Sequence, residues 1–123
     1  MTTLTEGRHA GGFLVWETSR DYTRETVTLT SGAGKLEPGT VLGKITTGGK
    51  FTQLAPAASN GSQNAAGILW GPADATTADV VAVVVLRGPA IVNRNDLTWP
   101  TAATEPQIAA ATAALAALGI LLR

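Results

Sequence analysis

Residues 79–87 read Asp79-Val80-Val81-Ala82-Val83-Val84-Val85-Leu86-Arg87, the densest β-branched run in the chain. β-Branched side chains are stiff at χ1 and pack well on a pleated surface, so the run predicts a strand. Its near-continuous apolar character predicts a central strand buried on both faces. The apolar stretch 80–86 is far too short to span a bilayer. Gly71-Pro72 precedes the run and Gly88-Pro89 follows it, so both ends carry turn signals. Immediately upstream, Ala66-Gly67-Ile68-Leu69-Trp70 reads as a short strand, with Gly67 expected where another backbone comes close. Immediately downstream, Ala90-Ile91-Val92 is the next strand, and Asn93-Arg94-Asn95-Asp96 is a polar turn after it.

The first half repeats this pattern of short strands and turns. Glu25-Thr26-Val27-Thr28-Leu29-Thr30 alternates strictly, which predicts a half-buried strand with Val27 and Leu29 on its inner face. Residues 31–34, Ser-Gly-Ala-Gly, are read as a break. Pro38-Gly39 suits the centre of a type II turn, because Pro presets φ and Gly accepts positive φ. Strands are expected over 41–45 and 51–54, joined by the turn Thr47-Gly48-Gly49-Lys50.

A single convincing helix begins at Thr104. Thr104-Glu105-Pro106-Gln107 has capping-box form, with Pro in the first turn, where its missing N–H costs nothing. Ile108, Ala111 or Thr112, Leu115 and Leu118 line one face, and Gly119 is the expected stop. Ile120-Leu121-Leu122 then reads as a closing strand. The fold class is therefore mainly β, with short strands and one short C-terminal helix.

The N-terminus behaves differently. Residues 1–12, MTTLTEGRHAGG, lack periodicity and end in a glycine pair, so they are read as a flexible arm before a domain over 13–123. Phe13-Leu14-Val15-Trp16 follows abruptly. Such a run is either a buried strand or an exposed one awaiting a partner sheet. Trp99 stands before Pro100, which restricts it to extended backbone, and a packed structural role is expected for the pair.

Composition removes several function classes. The 123 residues fit one domain. Nine basic and nine acidic residues give zero net charge and lie interspersed, so no basic face for nucleic acid is expected. No apolar signal core precedes residue 13, so a membrane partner is not expected, and synthesis in the host cytoplasm is. Cysteine is absent, which excludes thiolate chemistry and disulfides. The lone histidine, His9, falls in the arm, where no general base could be held in place. Asp74 and Asp79 are read as turn and strand-edge caps. Gly32-Ala33-Gly34-Lys35 lacks phosphate-loop spacing. Neither an enzyme nor a cofactor or metal site is expected.

The ordered series of features resembles the lambda-type bacteriophage head decoration protein family. It runs through 23–29 (TRETVTL), 36–43 (LEPGTVLG) and 44–51, then Ala66-Gly67-Ile68-Leu69, Leu86-Arg87-Gly88 and Ala90-Ile91-Val92. Leu97-Thr98-Trp99-Pro100 and the Ala-rich helix closing in Gly119-Ile120-Leu121-Leu122-Arg123 complete it. The resemblance covers residues 13–123. It implies a β-clip-like domain that binds the expanded phage head as homotrimers at three-fold and quasi-three-fold sites. It implies stabilisation of the virion shell against internal DNA pressure. It implies, too, an N-terminal segment that is disordered when free and adds β-structure to the major capsid protein. Leu4, Phe13, Leu14, Val15 and Trp16 are the residues expected to make that contact. This sequence departs from the pattern at Trp16, where a small polar residue is usual, and at Thr23, where Ser is.

Two other classes compete. A trimeric β-rich virion module for a receptor or glycan could use residues 93–96 beside Trp99. Trimeric nucleotide hydrolases share a β-clip core, but no stretch here supplies their basic, Ser-rich phosphate loop.

Overall fold

The computed structural model describes residues 9–123. In chain order they form β1 (Leu14–Glu17), a single helical turn α1 (Arg20–Thr23), β2 (Arg24–Leu29), β3 (Gly34–Leu36), β4 (Val41–Lys44) and β5 (Phe51–Gln53). There follow β6 (Ala65–Leu69), β7 (Ala73–Ala75), β8 (Val80–Val85), β9 (Ala90–Val92), a 3-10 turn (Arg94–Asp96), α2 (Glu105–Ala117) and β10 (Ile120–Leu122). The chain is mainly β, as its patterning predicts.

Five strands close into a barrel in the order β2-β5-β4-β6-β8. The valine-rich β8 is central to it, antiparallel to β2 from Arg24↔Val85 to Leu29↔Val80 and to β6 at Ile68↔Val85. A short parallel contact, Leu29↔Phe51, completes the ring. Leu29, Leu42, Phe51, Leu69, Ala82 and Val84 fill the interior. The ring closes thinly, because only the last residue of β2 pairs with β5 and only two residues of β8 pair with β6.

The expectation that β8 is buried on both faces needs correcting. Ala82 and Val84 point inward, but Val81 is 70% exposed and Val83 40% exposed. They stand on the outer wall opposite Thr28 and Thr26, and α2 packs elsewhere, against β6. A run of valines broken only by Ala82 cannot report which face a covering layer will leave bare.

The second layer is a three-stranded sheet in the order β1-β9-β10, with α2 beside it. β9 is its centre, antiparallel to β1 and parallel to β10. Phe13, Val41, Leu54, Ile68, Val85, Val92, Leu115 and Ile120 form one core between this layer and the barrel, with Trp70 and Trp99 packed against it. Trp99 is half-buried. The strap before it is pinned to β4, with Val41 N–H donating to Thr98 O at 3.1 Å and Thr98 N–H to Gly39 O at 2.9 Å.

The turn and cap readings match the structure. Thr40 N–H donates to Glu37 O at 3.2 Å across Pro38-Gly39, with Gly39 at φ +91°. Thr104 and Gln107 make both bonds of the capping box. On α2, Ala111 and Leu115 are buried and Ile108 is half-buried, but Leu118 is exposed, because it is the C-cap rather than part of the last helical turn. The pair β3 and β7 escapes sequence reading. Three residues each are too few to show alternation, and β3 begins at Gly34 inside the expected break.

Candidate functional site

β1 is the edge of the three-stranded sheet, with β9 on one side and no strand among the described residues on the other. Its pairing with β9 is Leu14↔Val92, Trp16↔Ile91 and Glu17↔Ala90, with a bulge between Leu14 and Trp16. A regular strand turns successive side chains to opposite faces. The extra residue breaks that rule and leaves neighbours exposed together: Val15 at 60% and Trp16 at 51%.

The four apolar residues at 13–16 therefore divide. Phe13 is 2% exposed and packs into the core, and Leu14 is half-buried against the same core. Only Val15 and Trp16 are presented outward. Leu4 lies outside the described residues. The segment just before Phe13 is tied to the domain as well: Gly11 N–H donates to Trp70 O at 2.9 Å, and a local bond from Gly12 N–H to His9 O at 3.0 Å shapes the turn.

The register extends the exposed patch across the sheet. Ile91 is opposite Trp16 on one side and Leu121 on the other, so Trp16, Ile91 and Leu121 form one row. Leu121 is 48% exposed, whereas its neighbour Ile120 is fully buried. Sequence reasoning missed Ile91 and Leu121, because three-residue strands carry no readable period and nothing local reveals that β10 pairs in parallel with β9. The row is uncharged and aliphatic-aromatic, a composition suited to covering by another protein surface.

Beneath β1 lies a polar cluster. The Glu17 carboxylate pairs with the Arg24 guanidinium and lies 2.5 Å from the Thr23 hydroxyl. The Arg24 guanidinium carbon stands 3.4 Å from the centroid of the Trp70 ring. Trp70 in turn meets Phe13 edge-on, with centroids 6.0 Å apart and planes at 73°.

The remaining candidates resolve into local structure. Gly67 stands where a Cβ would lie 2.7 Å from Val84 Cγ1 and 3.0 Å from Val85 O, the close approach expected of it. Asn93 Oδ1 accepts from Asn95 N–H at 3.0 Å, which is the capping bond of the 3-10 turn. Asp74 caps Thr76, which holds its carboxyl below the usual range. Among the described residues no three His, Asp or Glu side chains gather as a metal site. None of their helices is long and apolar enough to cross a membrane.

A family model described as bacteriophage lambda head decoration protein D matches residues 3–120. The chain belongs to that family. This is a family of structural capsid decoration proteins, which places the chain with the phage capsid and the virion. No curated protein sequence matches the chain. Within the family's frame, the uncharged row on the three-stranded sheet and the open edge of β1 are surface features suited to a protein partner, as are the exposed Val81 and Val83 on the barrel wall.

Proposed function

We propose that this decoration protein cements the expanded head as homotrimers seated at three-fold and quasi-three-fold sites, and so stabilises the shell against packaged DNA. In this reading the N-terminal residues, Leu4 among them, pair with an edge strand of the major capsid protein, and β1 is the near end of the contact. The observation that carries it is the open edge of β1 with Val15 and Trp16 both turned outward by the bulge. Strand addition of this kind draws affinity from backbone hydrogen bonds and specificity from side chains in pockets. Phe13 and Leu14 hold the strand in place from below rather than filling pockets on the partner.

Three arms on one trimer make the second and third contacts intramolecular, raising avidity by roughly 10² to 10⁴. Cementing follows by linkage, since a ligand bridging subunits stabilises only the assembled lattice that presents its sites. Assembly in the host cytoplasm precedes residence on the outer surface of the head.

The test mixes purified protein with expanded, undecorated heads of its own phage and images them by cryo-electron microscopy. Density at three-fold positions, lost when residues 1–8 are deleted, is the expected result. Bare heads under saturating full-length protein would reject the cementing role. Full decoration by the truncated chain would reject the arm.

A further inference from the structure

We propose that Arg24 and Trp70 form a clasp that holds the edge strand β1 onto the barrel. The clasp thereby fixes where the N-terminal residues leave the domain. Its consequence at the shell rests on the function proposed above; the clasp itself is a property of the free protein.

Among the described residues β1 has one strand partner, and that partner, β9, belongs to the same small sheet rather than to the barrel. A four-residue edge strand held by a single neighbour is the kind of element that opens locally at low free energy. Phe13, buried in the core with Val41, Ile68 and Val85, holds the segment to the barrel, and polar and aromatic contacts add to that hold. At its C-terminal end, Glu17 is gripped by Arg24, whose Nε also reaches Glu17 Oε2 at 3.3 Å. At its N-terminal end, Phe13 meets the edge of Trp70. One step before that, Gly11 donates its N–H to Trp70 O and lies against the ring so closely that a Cβ there would sit 2.2 Å from Cη2. Trp70, which follows β6, thus touches the segment at 11 and 13, and Arg24, the first residue of β2, holds it at 17.

The two anchors are linked by the guanidinium resting on the indole. Both members of the Arg24–Glu17 pair are mostly shielded from solvent. Shielding strengthens the Coulomb attraction and makes this pair worth more than an exposed one. A two-point guanidinium contact also fixes direction, which a lysine could not reproduce. Loss of the clasp should loosen residues 11–18 around the buried Phe13 and leave the barrel closed, because the barrel's interior cluster takes no part in it.

Amide hydrogen exchange on the full-length free protein tests this. In Arg24→Met, the amides of Gly11, Thr18 and Asn93, which bond to Trp70 O, Pro89 O and Phe13 O, should exchange on the order of tenfold faster. The barrel amides of Leu54 and Leu69, bonded to Val41 O and Thr40 O, should be unchanged. Glu17→Gln removes the charge without removing packing and should give the same pattern at smaller amplitude. Arg24→Lys should restore only part of the protection. Unchanged exchange at Gly11, Thr18 and Asn93 in both Arg24→Met and Glu17→Gln would overturn the clasp, as would equal acceleration of the barrel amides. Selective acceleration together with undiminished decoration of heads would uphold the clasp and overturn its proposed role at the shell.

Discussion

Gly88 and Gly119 meet backbone to backbone. Gly88 N–H donates to Leu118 O at 2.8 Å, and Ala90 N–H donates to Gly119 O at 3.1 Å. A Cβ built on Gly88 would lie 1.8 Å from the Gly119 carbonyl oxygen. The end of α2 is thereby fastened to the start of β9, which sets β10 parallel to β9 and puts Leu121 in the exposed row. Gly88→Ala cannot be absorbed by a side-chain shift, since the obstructing atoms are main chain. It should cost about 3 kcal/mol or more, at the upper end of overpacking effects. Urea denaturation reads this directly, and a loss under about 1 kcal/mol would show that the two segments part easily.

Much of this architecture is legible in the sequence, and the limits are physical. Where one residue decides a backbone shape, the reading holds: Pro38-Gly39 makes the turn, Thr104 and Gln107 make the capping box, and Gly67 marks a close approach. Where a long-range partner decides, it does not. β8 looks doubly buried because valine suits both faces, yet only the covering layer determines that Val81 is exposed. The division of 13–16 into an inward and an outward pair depends on a bulge against β9, some 75 residues away in sequence. The exposed row needs three strands in register, and no local pattern reports Ile91 and Leu121 as neighbours.

Gly67 offers a second packing test. A methyl there would meet Val84 Cγ1 at 2.7 Å, with Val85 O at 3.0 Å and Leu86 Cδ2 at 3.1 Å. Gly67→Ala should destabilise by about 1 to 3 kcal/mol. Val84→Ala removes the nearest obstruction, so the double variant should be less destabilised than the sum of the singles by about 1 kcal/mol. Simple additivity in thermal or urea unfolding would show that the clash is relieved some other way.

The capping box gives a smaller and cleaner effect. Thr104 Oγ1 accepts from Gln107 N–H while Gln107 Oε1 accepts from Thr104 N–H. Thr104→Ala leaves the helix's first turn short of a partner and should cost about 1 kcal/mol, with Thr104→Ser close to wild type. In a domain of this size that is a fall in Tm of about 4 °C. An unchanged Tm would mean that water replaces the cap without loss.

Asp79 should make stability depend on acid. Its carboxylate is held below the ordinary value of 3.8 by the hydrogen bond from Lys50 Nζ at 2.6 Å and then by Ser31 N–H at 2.7 Å. The folded state therefore prefers the ionised form more than the unfolded chain does. That contribution is complete above the unfolded pKa and is lost as pH falls through the lowered folded value. The gap in Tm between wild type and Asp79→Asn should be widest at neutral pH and close below about pH 4. A gap that does not narrow at all as pH falls below about 4 would assign the effect to packing rather than charge.

Phe13 tests how far the proposed partner-facing segment reaches into the chain. Its ring is 2% exposed, lies in the core with Val92, Leu115 and Ile120, and meets Trp70 edge-on. Deleting residues 1–16 removes that ring together with most of β1, so failure to decorate heads would then mix lost stability with lost contact. Phe13→Ala alone should cost about 3 to 5 kcal/mol, as large-to-small changes in a packed core do. If instead Phe13→Ala costs under about 1 kcal/mol, β1 is only loosely held in solution. The partner-facing segment would then extend through Trp16.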